Sequence, residues 1–111
     1  MLELLLPIPP SLNGLYPGKT RRYKSRAYKN WLAEADIAFK QQKSRHIPGR
    51  VHVYYRLHFP DNRRRDVANY EKAVSDFLVD KGLIEDDERI DSILIERGEQ
   101  GNGVYIQVEA L

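Results

Sequence analysis

The stretch RVHVYYRLHF, residues 50 to 59, places Val51, Val53, Tyr55, Leu57 and Phe59 on one side and His52, Tyr54, Arg56 and His58 on the other. This period of two, carried by β-branched and aromatic residues, predicts a strand with one face in a core and one toward water. Pro60, Asp61 and Asn62 end it. Downstream, after Arg63, Arg64 and Arg65, Asp66 is placed to cap a helix running to about Asp80, and Lys81 with Gly82 supplies the stop. At about 100° per residue its buried stripe is Val67, Tyr70, Val74, Phe77 and Leu78, with Ala68, Asn69, Lys72 and Asp76 on the opposite arc. Ile90 to Arg97 and Val104 to Val108 then read as two strands, most simply a hairpin turning through Gly98, Gly101, Asn102 and Gly103.

Upstream, residues 2 to 6 form a short apolar strand ended by Pro7, Pro9 and Pro10, followed by a loop from Ser11 to Tyr23. A second helix is predicted from near Ser25, with Tyr28, Trp31, Leu32, Ala35, Ala38 and Phe39 at three-and-four spacing, stopping before Pro48 and Gly49. The order β-α-β-α-β-β predicts an α/β (α+β) fold, a mixed β-sheet of about four strands with two packed helices. At 111 residues the chain is read as one domain, 1–111.

Composition narrows the chemistry. With 41% hydrophobic and 31% charged residues the chain is neither disordered nor membrane-spanning. The lack of cysteine excludes a disulfide scaffold, a thiolate zinc site and a cysteine nucleophile. No signal-peptide pattern opens the sequence, so the expected location is cytoplasmic. The net charge of +2 hides a marked segregation. Lys19, Arg21, Arg22, Lys24, Arg26 and Lys29 cluster without an acid among them, whereas Asp76, Asp80, Glu85, Asp86, Asp87, Glu88 and Asp91 concentrate later. A basic surface attracts polyanions and a carboxylate set attracts divalent metal, which together suggest chemistry on a phosphate backbone. The plainer reading of the same charges is a solvated surface with scattered ion pairs.

Asp66 sits at a helix mouth, and Glu85 to Asp87 sit in a loop before a strand. If that strand lies beside residues 51 to 59, Asp66 and Asp87 would face one another across a site for Mg²⁺, which needs few carboxylates when phosphate and water complete its shell. His46, His52 and His58 lack a metal-ligand spacing. Tyr16 and Tyr23 interleave with basic residues, while Tyr28 and Trp31 belong to the apolar stripe.

The stretch FPDNRRRDVANYEKAVSDFLVDKGLIEDD, Phe59 to Asp87, resembles the core signature of the RusA-type Holliday junction resolvases, and LPIPPSLNGLY, Leu6 to Tyr16, resembles their opening. The resemblance implies a homodimeric, Mg²⁺-dependent endodeoxyribonuclease that nicks four-way or branched DNA symmetrically, with no organic cofactor and no membrane partner. It implies a phage or bacterial protein working in recombination and repair. Carried across by position, it puts the first catalytic aspartate at Asp66, the helix lysine at Lys72, the late aspartate at Asp87 with Asp86 beside it, and the preceding arginine at Arg65. Arg63, Arg64, Arg65 and Asn69, with Lys19, Arg21, Arg22, Lys24 and Arg26, are the implied DNA contacts.

One position departs from the family pattern Asp-x-Asp-Asn, which here reads Asp66, Val67, Ala68, Asn69. Ala68 cannot bind metal. Three arrangements remain open: Glu71, about 60° around the helix, supplies the carboxylate; Asp66 and Asp87 with Asp76 suffice for one weakly held metal; or the chain is a catalytically inactive junction-binding module impaired at Ala68.

Overall fold

The chain runs through β1 (Leu2–Leu6), α1 (Arg26–Lys40), β2 (Val51–His58), α2 (Glu71–Asp80), β3 (Ile90–Arg97) and β4 (Gly103–Ala110), in the predicted order. This computed structural model describes residues 1–16 and 23–111. Three short 3-10 turns, Leu12–Gly14, Val67–Tyr70 and Asp87–Arg89, punctuate it. The strands form one mixed sheet in the spatial order β1-β4-β2-β3, with β4 antiparallel to both β1 and β2, and β2 parallel to β3.

The alternation in β2 produces the burial it predicts: Val51, Val53, Tyr55 and Leu57 are buried, joined by Leu2, Leu4 and Leu6 of β1 and by Val104, Ile106 and Val108 of β4. Both helices cover this face. Trp31 of α1 meets Phe77 of α2 edge-on at 5.6 Å between ring centroids, and Phe39 meets the same ring at 5.8 Å. The opposite sheet face carries His52, Tyr54, Arg56, Tyr105 and Gln107, tied by polar contacts such as Tyr54 to Glu96 and Tyr105 to Glu3.

Local signals set the helix ends. Ser25 caps α1, its Oγ accepting from the Tyr28 N–H at 3.0 Å and donating to the Gly14 carbonyl at 2.5 Å. α1 stops at Lys40, before Pro48 as expected. Beyond it, the Gln42 amide accepts from the Leu5 N–H at 2.8 Å and donates to the Leu5 carbonyl at 2.6 Å. That pairing occupies the outer edge of β1, where exposed ladder groups would otherwise invite another strand. At the end of α2, Gly82 adopts φ of +75°, the left-handed conformation expected of a glycine stop.

Two expectations are corrected. The helix predicted from Asp66 begins as a 3-10 turn, and α-helical geometry starts only at Glu71. The tighter winding of that first turn displaces Ala68 and Asn69 from the arc that a continuous α-helix would give them. The hairpin is also absent: β3 and β4 lie on opposite sides of β2. Their connection passes over the end of β2, where the Gly98 N–H donates to the Leu57 carbonyl and the Gly101 N–H to that of Phe59, each at 2.9 Å. A Cβ on Gly98 would stand 2.5 Å from the His58 ring, so the crossing requires glycine there. Spanning two strand spacings takes about 10 Å, within reach of the same short glycine-rich segment that suggested a hairpin.

Leu57 is fully buried at the centre of the sheet and Leu5 is 61% exposed. Leu57→Ala is expected to cost about 2–5 kcal/mol and Leu5→Ala to stay within about 0.5 kcal/mol, as read by urea denaturation.

Candidate active site

The parallel pairing of β2 with β3 sets Val51 opposite Ile90 and Val53 opposite Ile93. α2 is the crossover between these strands, and a cleft of about 380 Å³ opens between it and the β3 edge. Glu71, Lys72, Ser75 and Asp76 form its α2 wall, Ile90 and Ile93 its strand wall, and Asp87 and Glu88 complete it. Ile93 stays 43% exposed because neither helix covers this end of the sheet.

Each acidic group here has a distinct setting. Asp86 precedes the Asp87–Arg89 turn, and its carbonyl accepts from the Arg89 N–H at 3.0 Å. The Asp86 and Asp87 carboxyl groups share a hydrogen bond, which pushes Asp87 above its ordinary value and draws Asp86 below its own. Glu71 accepts from the Ser75 hydroxyl, and the Ser75 Oγ lies 2.8 Å from the Tyr55 hydroxyl in the core. Lys72 reaches Asp76 at 3.1 Å, one turn on, with both side chains about one third exposed. A pair so exposed is worth little, which leaves the ammonium able to turn toward an anion.

Of the predicted site, the structure brings Glu71, Lys72 and Asp87 to one cleft, with Asp86 bonded to Asp87. Asp66 is not on the cleft wall. Its exposed carboxylate caps the 3-10 turn, accepting from the Ala68 N–H at 3.2 Å. Ala68 is exposed and Asn69 half-buried, with the Asn69 N–H donating to the Asp66 carbonyl at 3.1 Å. Among the described residues no three His, Cys, Asp or Glu side chains gather closely enough to share one cation.

The three arginines divide. Arg65 donates to Asp61 at 2.7 Å and stacks over Phe59 at 4.6 Å, with only 13% of its side chain exposed. Arg97 lies over the same ring at 4.9 Å and donates to the carbonyls of Asp61 and Arg63, each at 3.1 Å. Tyr70 meets that ring edge-on at 5.0 Å. Arg65 thus anchors the loop, while Arg63, exposed and within 3.4 Å of Asp61, and the exposed Arg64 lie at its surface. Lys24 and Arg26 are exposed around the start of α1, and Lys19, Arg21 and Arg22 lie outside the described residues. Asp61, Arg97, Ser75 and Tyr55 escaped the sequence reading. Only the four-residue spacings Asp61–Arg65 and Glu71–Ser75 hinted at them.

Residues 7–109 match the family model described as Endodeoxyribonuclease RusA. The chain belongs to the RusA endodeoxyribonuclease family. It is similar to the crossover junction endodeoxyribonuclease rusA of Enterobacteria phage HK97, with 31% identity over 100 residues, 86% of this chain and 82% of the relative. It is also similar to the crossover junction endodeoxyribonuclease RusA of Aquifex aeolicus, with 30% identity over 101 residues, 86% of this chain and 80% of the relative. The RusA resemblance read from Phe59 to Asp87 is therefore borne out, and the mixed sheet with two helices is this member's form of the fold. No helix among the described residues is long and apolar enough to cross a membrane.

Arg65 holds the Asp61 carboxyl well below the usual carboxylate range, with the Arg63 N–H adding to the effect. A depressed carboxyl contributes stability above its unfolded value, near pH 4, and loses it as pH falls below. Asp61→Asn should therefore lower Tm most between pH 5 and 7, and the difference from the unsubstituted protein should shrink steadily from about pH 4 downward.

Proposed function

We propose that this RusA-family protein is an endodeoxyribonuclease that resolves four-way DNA junctions by paired, Mg²⁺-dependent phosphodiester hydrolysis. The observation that carries the reading is the convergence of Glu71, Lys72 and Asp87 on one open cleft in a chain of this family. The residues suit a hard divalent cation: every acidic donor is a carboxylate oxygen, and the Asp86–Asp87 pair crowds negative charge that such a cation would relieve. Mg²⁺ ordinarily binds through one or two carboxylates and leaves the rest of its shell to water and substrate phosphate. Asp87 and Asp86 would hold it, with Glu71 across the cleft, and when bound it would polarise the phosphate and activate water.

The remaining work falls to the chain itself. Lys72 leaves Asp76 for a non-bridging phosphate oxygen and stabilises the charge that develops on it. Arg63 and Arg64 take phosphates of the flanking strand, and the exposed Lys24 and Arg26 at the start of α1 take phosphates of a duplex arm. Arg65 acts behind them by holding the loop through Asp61. Asp66, which the resemblance ranks as catalytic, presents an exposed carboxylate just before α2, where the DNA backbone would pass. Two symmetric nicks call for two sites related by a two-fold axis, so the active form is a homodimer of 1–111 nuclease domains.

The absence, among the described residues, of a third clustered acid, together with the exposed Ala68, favours one other reading, a junction-binding module without cleavage. Cleavage of a labelled four-way junction in Mg²⁺ or chelator, beside an Ala68→Asp version, separates the two. Paired nicks that vanish with chelator are expected; binding without nicks in any divalent cation, restored by Ala68→Asp, would replace the enzyme with the binder. Asp87→Asn is expected to abolish cleavage while preserving junction binding, and Lys72→Ala to lower the cleavage rate about 10²–10³-fold, both measured in single-turnover assays. Junction affinity should fall steeply with salt in every case, as a slope against log salt would show.

A further inference from the structure

We propose that Ser75 and Tyr55 are positioning residues that hold the Glu71 carboxylate in the cleft opposite Asp87, and thereby set how tightly the site takes a divalent cation. The inference rests on the preceding reading of Glu71 as part of the cation site. Ser75 is buried in the core, at 3% exposure, and Tyr55 is fully buried. Packing alone does not call for either hydroxyl, since a phenylalanine and an alanine would fill nearly the same volume. Replacing both partners of a buried hydrogen bond by apolar groups of similar shape is nearly neutral.

What the pair faces accounts for it. The Ser75 hydroxyl has one hydrogen, and it is directed to Glu71 Oε2 one helical turn away. The Ser75 oxygen must then accept from the Tyr55 hydroxyl, 2.8 Å away on the helix-facing side of β2. Burial pushes the Tyr55 phenol up, so it remains a donor throughout the neutral range. Both O–H dipoles consequently point toward the carboxylate, from a rigid strand through a helix to the cleft wall. Outer-shell partners of this kind fix the orientation of a ligating group and commonly govern affinity by about 10- to 100-fold.

The test is Mn²⁺ titration of the DNA-free protein by electron paramagnetic resonance, on Glu71→Gln, Ser75→Ala, Ser75→Thr and Tyr55→Phe, with thermal melts to confirm folding. Glu71→Gln and Ser75→Ala are each expected to weaken Mn²⁺ binding roughly 10-fold, Tyr55→Phe about 3-fold, and Ser75→Thr, which keeps the hydroxyl, to remain near the starting affinity. In junction cleavage, Ser75→Ala should raise the Mg²⁺ concentration for half-maximal rate while the rate at saturating Mg²⁺ recovers, a split that general loss of structure would not produce. Weakened binding in Glu71→Gln with none in folded Ser75→Ala or Tyr55→Phe would overturn the positioning role alone. Unchanged binding in Glu71→Gln would remove Glu71 from the cation site and the inference with it.

Discussion

The parallel pairing of β2 with β3, Val53 opposite Ile93 and Tyr55 opposite Ile95, is the constraint from which the rest of the molecule follows. A parallel pair cannot close through a tight turn, so the chain between them must cross the sheet, and α2 is that crossing. Once α2 lies on the buried face, Glu71, Lys72 and Asp76 look toward the β3 edge and the loop returning to β3 carries Asp87 to the same place. The cleft opens where α2 leaves Ile93 only partly covered. Chemistry is thus located where the packing of two helices on four strands runs out.

Identical residue types acquire opposite properties in this frame. Asp61, clasped by Arg65, is held ionised well into acid, whereas Asp87, beside Asp86, is pushed toward its protonated form. The same division separates the arginines. Arg65 and Arg97 converge on the Phe59 ring and the loop carbonyls, and their charge is spent on holding the segment that presents Arg63 and Arg64. A charge run that looks uniform in one dimension therefore splits into scaffold and surface, with the aromatic ring at the end of β2 as the dividing feature.

Much of this was legible in the residues. The alternation from Val51 to Phe59, the Ser25 cap, the glycine stop at Gly82 and the stretch Phe59 to Asp87 are local patterns, and local patterns report backbone conformation directly. The connection through Gly98 to Gly103 was misread because glycines at that spacing serve a hairpin and an arch over one strand equally well. The start of α2 was misread because an N-cap aspartate precedes a 3-10 turn as readily as an α-helix. Ser75 was passed over because a serine within an apolar helix face carries no mark of its hydrogen-bond partners.

Alone, the sequence determined the kinds of elements, their order, their buried faces and the family, since each depends on neighbours a few residues away or on a contiguous motif. It also supplied the acids and bases from which any phosphate chemistry here must draw. Which strands lie side by side, and hence which carboxylates meet, was decided only by the tertiary structure. Glu71 reaches the cleft backed by Tyr55 because the core brings β2 beneath α2. Those contacts join residues distant in the chain, and only the register of the sheet and the seating of a helix upon it assign them.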